Sequence, residues 1–404
     1  MKDLEIKNLI KQEEKRQKKA INLIASENFV SQDVLEALGS VFVNKYAEGY
    51  AGKRYYGGNG IVDELEKLCQ NRALKLFKLG HLDPARGKWH VNVQSYSGSP
   101  ANLAVFLALV PKGEKIMGMS LEMGGHLTHG QRVSITGKFW KQVAYGVDKK
   151  TEQLDYNEIL RLAKKEKPAL IIAGATAYSR KIDFKKFRKI ADAIGPYLMV
   201  DMSHIAGLVA GLVHLSPFPY ADIVTTTTHK TLRGPRAAMI FSRLGSLGGS
   251  TAKWRLSRPN IQNLIDKAVF PGLQGGPHLN QVAAVAVALK EAMQPSFKKY
   301  ARQVVKNAKT LANELKKKRW RIVSGGTDTH LFLIDTWLRG IGGRQASERL
   351  EKAGIIVNKN TTPFDTRKPA DPSGIRLGTP AVTTRGMKEK DMLKIAEKID
   401  KILK

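Results

Sequence analysis

The sequence contains one cysteine, Cys69, in 404 residues. A lone thiol excludes a disulfide within the chain and fits a reducing compartment, so a cytoplasmic protein is expected. Its setting, DELEKLCQNRALKLF, gives Cys69 a packed helix position, not the surroundings of a nucleophile. No apolar run approaches the ~18–20 residues needed to cross a bilayer. The opening stretch MKDLEIKNLIKQEEKRQKKA mixes both charge signs and lacks the apolar core of a secretory signal. Acidic residues are scarce, 36 against 67 Lys and Arg, which leaves a formal charge of +31. Such an excess raises the question of nucleic acid or another polyanion. The basic residues are spread along the whole chain with no Arg-rich tail, so solvated faces are the expected reading and nucleic acid is not an expected partner. Internal repeats and low-complexity linkers are absent too.

What is present is ordinary globular material, 42% hydrophobic and 25% charged. The length exceeds one ordinary core and points to two or more domains. Residues 2–20 have a helical pattern of mixed charge. A loop-rich stretch over 22–60 follows, holding the Gly- and Tyr-dense NKYAEGYAGKRYYGGNG, and then a helix over about 62–77. Beyond it short apolar runs (HVNVQ, KIMGM, ALIIAGAT, YLMVDM, DIVTTTT, AAMIF) alternate with amphipathic stretches such as YNEILRLAKKEK and FKKFRKIADAI. That alternation predicts an α/β domain around a mostly parallel sheet. After PGLQGGPHLNQ the pattern changes to one long helical segment over about 280–318, strands RIVSGG and HLFLID, and a terminal helix from 388. The expected division is an N-terminal helix and arm over 1–45, a large domain over 46–277 and a small α+β domain over 278–404.

Three segments carry chemistry. In SYSGSPANLAVFLAL, Ser97, Gly98 and Ser99 lead through Pro100 into an apolar helix, whose unpaired N–H groups could hold a phosphate. A well-capped helix explains the segment equally well. In YLMVDMSH a buried strand runs into Asp201, with His204 three residues on, at the strand end where α/β proteins bind ligands. Taken alone, Asp201 is more often a cap or turn residue. In TTTTHKTLRGP, Lys230 follows His229 at a strand mouth, where a surface charge is the default. Together the three supply what pyridoxal phosphate needs. A Lys forms the Schiff base, an Asp keeps the ring nitrogen protonated, and a helix end holds the phosphate.

The stretches LIASENF, NKYAEGYAGKRYYGG, SGSPAN, GGHLTHG, VDMSH, TTTTHKTLRGPR, PGLQGGP, VSGGTDTHLFL and SGIRLGTPA stand in the order found in serine hydroxymethyltransferases, which the chain therefore resembles over about 20–385. LDP before HVNVQ, YSGSPAN and AYSR look closer to the eukaryotic-type branch than to common bacterial forms. The resemblance implies the aspartate aminotransferase-like fold, with a seven-stranded-type sheet in its large domain. It also implies pyridoxal 5'-phosphate as cofactor, and serine, glycine and tetrahydrofolate as substrates and products. On it, Lys230 would bind the cofactor, Asp201 would pair with the ring nitrogen, His204 would lie near the phenolic oxygen and His126 would stack on the ring. Ser97, Gly98, Ser99 and His229 would hold the phosphate, and Thr176 and Thr227 would line the pocket. Tyr46 and Gly276 would reach the phosphate from a neighbouring subunit of a homodimer, possible also as a tetramer. Arg376 would clamp the amino acid's carboxylate with help from Ser26 and Tyr56, a task suited to a planar fork. Glu48 would handle protons around the serine hydroxyl and folate. Folate would meet Tyr55, Leu121, Gly125, Leu127 and Asn360.

The plain alternative for His126 and His129 is a turn with capping histidines, or a metal pair; nothing near them completes a metal shell, and no metal is expected. Departures from the family pattern are Ser95 where Pro is frequent, Ser203 where Ala is frequent, and Ala51 in place of the Pro of the YPGKRYYGG-type segment. The chain ends at KIDKILK, earlier than many relatives. Two other readings compete: a threonine-aldolase-like enzyme acting on glycine, which would need neither Glu48 and its Tyr neighbours nor GGHLTHG, and a nucleic-acid-binding protein. The Gly-rich arm over 46–56 is not expected to be stable on its own domain, and so to lie across a partner.

Overall fold

A computed structural model describes residues 1–79, 88–244 and 260–404; the LDP segment at 82–84 lies outside the described residues. The centre is a seven-stranded sheet. Its strands are β1 (Lys88–Asn92), β2 (Lys115–Met119), β3 (Lys141–Tyr145), β4 (Leu170–Ala173), β5 (Tyr197–Asp201), β6 (Ile223–Thr227) and β7 (Ala238–Leu244). They lie in the order β1-β7-β6-β5-β4-β2-β3, and all pairings are parallel except the two made by β7. Parallel strands are covered on both faces. Accordingly every residue of β4 and β6 is buried, with one apolar cluster around Phe184, Phe187 and Phe241 and another around Phe106, Met199 and Ile240 on the opposite side.

Six of the seven strands follow the apolar runs read from the sequence. The seventh, β3, was not among them. It is a sheet edge whose residues KQVAY alternate between solvent and core, so it carries no continuous apolar signal.

The single long helix expected over 280–318 is two helices, Leu279–Ala292 and Pro295–Lys317. Pro295 opens the second, because a ring without an N–H fits only the first helical turn. The first is apolar nearly all round and packs between Gly60–Leu76 and Gln32–Leu38. The second runs from the main core, through Phe297, Ala301 and Val304, into a separate cluster with Leu311 and Leu315. That second core lies under a four-stranded sheet of β8 (Arg321–Ile322), β9 (Leu331–Asp335), β10 (Asn358–Asn360) and β11 (Gly374–Gly378), ordered β8-β9-β11-β10. The terminal helix Glu389–Leu403 covers it.

The N-terminal helix Leu4–Lys19 buries no residue. It is tied down at its end, where the Arg385 guanidinium donates to the carbonyls of Lys18 and Ala20 at 2.6 and 2.7 Å. The next residues, Ile21–Asn22, pair parallel with Ile355–Ile356, and Leu23 enters the second core.

The arm over 46–56 departs from expectation: its base is fixed by its own chain. Arg54, buried, pairs with Glu66 at 2.5 Å and Asp63 at 2.8 Å. Gln94 Nε2 donates to the Gly49 carbonyl at 3.0 Å, and the Tyr50 hydroxyl donates to that of Asp266 at 2.6 Å. Cys69 is fully buried in Gly60–Leu76, as its setting implied, and burial pushes its thiol up. No helix among the described residues is long and apolar enough to cross a membrane.

Candidate active site

Parallel strands deliver their loops to one edge of the sheet, and the crevice there is where the chemistry-bearing segments meet. β5 ends in Asp201, β6 ends in Thr227 three residues before Lys230, and the helix Gly98–Leu109 starts beside them. A cavity of about 430 Å³ opens at this edge. Ser97, Gly98 and Ser99 line it at the helix start; Asp201, His204, Thr227, His229 and Lys230 line it at the strand ends. His126 and Thr176 come from the neighbouring loops, Ser26 from the N-terminal segment, and Arg376 from β11.

Lys230 Nζ donates to Thr227 Oγ1 at 3.2 Å. Burial is the main cause that brings its pKa down to about 8; the charges of Arg376 and Arg236 add to the fall and Asp201 opposes it. Asp201 goes the other way. Burial alone would raise it, yet the His129 hydrogen bond and charge, with His126 and the Ser203 side chain, hold the carboxyl far below the usual range. Its Oδ2 accepts from His129 Nε2 at 3.2 Å and Asn102 Nδ2 at 3.0 Å, and its Oδ1 from the Ser203 N–H at 3.1 Å. His129 is aimed by a second bond, since its Nδ1 accepts from the His126 N–H at 3.3 Å.

The capping reading of the histidines holds locally. His126 Nδ1 accepts from the Thr128 N–H at 3.2 Å, and the ring also borders the cavity. Burial, then the neighbouring His129, lowers His126 to about 4, so it is neutral at pH 7. Burial, followed by the Lys230 charge, keeps His204 well below its ordinary value; its Nδ1 lies 3.2 Å from His330 Nε2. Arg376, 9% exposed, is anchored by Nη1 to the Thr176 carbonyl at 2.7 Å and by Nε to Asn358 Oδ1 at 3.1 Å. A fork held this way has donors left for an anion.

The wall suits a phosphate. Ser97 makes no side-chain cap bond, so the first turn of Gly98–Leu109 keeps its donors. A Cβ on Gly98 would lie 2.7 Å from Thr227 Cγ2, so only glycine lets the turn sit against β6. His229 Nδ1 is buried with no hydrogen-bond partner, and Arg236, which the sequence reading passed over, also lines the cavity. Three cations, Lys230, Arg236 and Arg376, thus share one cavity with Asp201 and Glu27. This donor set fits pyridoxal phosphate together with an amino acid's carboxylate.

A second group of expected residues is gathered elsewhere. Tyr46, Glu48, Tyr56 and Gly276 do not line this cavity. The Tyr46 hydroxyl donates to Glu48 Oε1 at 3.3 Å, its ring stands edge-on to Tyr56 at 5.4 Å, and a Cβ on Gly276 would be 3.3 Å from it. The Glu48 charge is the first cause that raises Tyr56. Tyr55 is 74% exposed. Among the other folate candidates, Leu121 and Asn360 are half-buried and Leu127 is exposed beside an apolar cavity shared with Tyr96, Leu103 and Leu273. Gly125 has a structural reason to be glycine: a Cβ would lie 2.0 Å from the Met119 carbonyl oxygen.

Asn102 and Arg236 were missed, and His129 was read only as a turn or metal histidine, not as a partner of Asp201. All three stood inside quoted motifs, but a polar residue on an apolar helix or in a turn shows its role only through its partners. A sequence model described as serine hydroxymethyltransferase matches residues 1–399. A protein of Desulfotalea psychrophila named serine hydroxymethyltransferase is 53% identical over 401 residues, 99% of this chain and 88% of that protein. The chain therefore belongs to the serine hydroxymethyltransferase family.

Proposed function

We propose that the reaction of the family, reversible transfer of the serine hydroxymethyl carbon to tetrahydrofolate giving glycine and 5,10-methylenetetrahydrofolate, runs in the cavity around Lys230. The observation that carries this reading is the meeting, at adjacent strand ends, of a half-buried amine brought down to about 8 and a half-buried carboxylate held ionised, both beside an open helix start. Pyridoxal phosphate, when bound, supplies an electron sink for the pair released as serine's Cα–Cβ bond breaks. Lys230 would hold the cofactor, and Asp201 would keep the proton on its ring nitrogen. Ser97, Gly98, Ser99 and His229, with Arg236 added, take the phosphate. His204 would serve the phenolic oxygen and His126 would lie on the side of the ring. Arg376 receives the carboxylate of serine, with Ser26 at the same end.

Glu48 and Tyr56 stand apart from this chain's cavity, so they act in the site of a second copy, as do Tyr46 and Gly276 on the phosphate there. In that setting Glu48 moves the proton of the serine hydroxyl. Folate enters between Tyr55 of one copy and Leu121, Gly125, Leu127 and Asn360 of the other. The lone buried Cys69 fits a reducing compartment, and we place the enzyme in the cytoplasm.

Loading with pyridoxal phosphate, borohydride reduction and peptide mapping tests the centre of the reading. The label is expected on Lys230 and lost in Lys230→Ala. A label on any other lysine overturns the assignment.

A further inference from the structure

Asn102 stands four residues after Gly98 on the helix whose start faces the cavity, and it is 2% exposed. Beside it in the helix stand Ala101 and Leu103, and one turn further on stand Val105 and Phe106. A buried amide there needs partners for two hydrogens and a carbonyl oxygen. It has all three. Nδ2 donates to Asp201 Oδ2 at 3.0 Å and to Thr128 Oγ1 at 2.9 Å, and Oδ1 accepts from Thr225 Oγ1 at 2.8 Å. The turned-over amide would set its oxygen against the Asp201 carboxylate, so the observed orientation is the one that the charge selects.

The consequence falls on Asp201. Its Oδ2 is gripped from two elements, by Asn102 on the helix and by His129 on the turn Leu127–His129, while Oδ1 takes the Ser203 N–H. A carboxylate has roughly four acceptor positions, so this set leaves about one for the cavity and fixes its direction. Thr128 ties the same amide to the loop carrying His126, and Thr225 ties it to β6, the strand leading to Lys230.

We propose that Asn102 is a positioning residue: it aims the Asp201 carboxylate at the ring nitrogen of pyridoxal phosphate, from the same helix whose first turn holds the phosphate. This rests on the reading of Asp201 given above. It makes the distance between the two anchoring points of the cofactor a property of one helix.

The test is binding, not turnover. The dissociation constants of pyridoxal phosphate and of its analogue with C–H in place of the ring nitrogen are measured by equilibrium dialysis. The proteins are the parent, Asn102→Leu, Asp201→Asn and the double variant. Asn102→Leu is expected to weaken pyridoxal phosphate roughly 10- to 100-fold, the scale of one hydrogen bond to a charged group. The carbon analogue should be affected less than about threefold, and the double variant should be no weaker than Asp201→Asn, as partners in one network behave. Equal loss of both ligands in Asn102→Leu, or additive losses in the double variant, would mean that Asn102 merely supports the fold, and the proposal is overturned. If Asp201→Asn weakens both ligands equally, the reading of Asp201 fails first. Should Asn102→Leu not fold, Asn102→Ala takes its place against the same two ligands, with near-ultraviolet circular dichroism to confirm native packing.

Discussion

The cavity at the sheet edge and the arm over 46–56 are built on opposite plans. In the cavity, each functional group is held by its own chain: Asp201 by three donors, Arg376 by the Thr176 carbonyl and Asn358, Lys230 by Thr227. The arm is anchored mainly at its base, through the buried Arg54–Glu66 pair and the Gln94–Gly49 bond, while at the tip Tyr46 lies against Gly276 and Tyr55 stands edge-on to Phe270 at 5.7 Å. The tip keeps Tyr46, Tyr55 and Tyr56 at 56, 74 and 50% exposure around Glu48. Large aromatics on a rigid base, facing solvent beside a carboxylate, have the character of an interface core lacking its other side. On the function proposed above, one region would be a finished half-site and the other a presented half-site. Each chain carries both, as a two-fold assembly with shared sites requires.

The sharpest way to break this comparison is at the tip. Glu48→Gln is expected to lower folate-dependent serine cleavage by ~10²–10⁴, the range of a lost acid–base group. Folate-independent cleavage of a bulky 3-hydroxy amino acid should stay within about a factor of three, because the cavity is untouched. Assays of both reactions on one preparation decide it. Equal loss of both would make Glu48 a structural residue of the arm. A smaller effect, but a more direct one, comes from mixing subunits. Lys230→Ala and Glu48→Ala are each expected to be nearly inactive alone. Random re-association puts half the dimers in mixed form with half of their sites intact, so about a quarter of parent activity should return. Confirmed exchange with no recovery would place both residues in one subunit's site and end the reading of the arm as a donated half.

Legibility followed the same divide. The strand ends were readable because Asp201 and Lys230 close apolar runs, and a charge at that position has a physical address. The edge strand β3 was not, since its Lys141 and Ala144 face solvent and dilute the pattern. The break between the helices Leu279–Ala292 and Pro295–Lys317 was marked by Pro295, and the continuous periodicity on both sides hid it. Asn102 and His129 stayed hidden for another reason. Their partner Asp201 is 99 and 72 residues away in sequence, and only the fold brings them within 3.0 and 3.2 Å. The arm's tip was assigned by family likeness, whereas its anchoring through Arg54, Glu66 and Gln94 is a tertiary fact that composition does not carry.

The smallest effect concerns stability, and it separates the two regions by sign. Burial lowers Lys230 in the cofactor-free chain from 10.5 to about 8. Below pH 8 the amine is protonated in both folded and unfolded chains, and the folded chain carries the full cost of enclosing that charge. Between about 8 and 10.5 the unfolded chain binds the extra proton, so stability rises with pH through this window and levels off above it. Replacing the amine by an apolar side chain of similar length removes the cost. Lys230→Met, without cofactor, should therefore be more stable than the parent at pH 7, by ~3 kcal/mol at most. The gap should narrow as pH rises toward 10.5. On the arm, Tyr55→Ala should leave stability nearly unchanged at either pH, because a ring that exposed contributes little to folding. Urea unfolding of the three cofactor-free proteins at pH 7 and pH 9.5 measures both effects. A Lys230→Met difference that is the same at both pH values would show that the cavity does not depress this amine. A large loss in Tyr55→Ala would show that the tip is bound to its own chain, and the contrast between the two regions would fall.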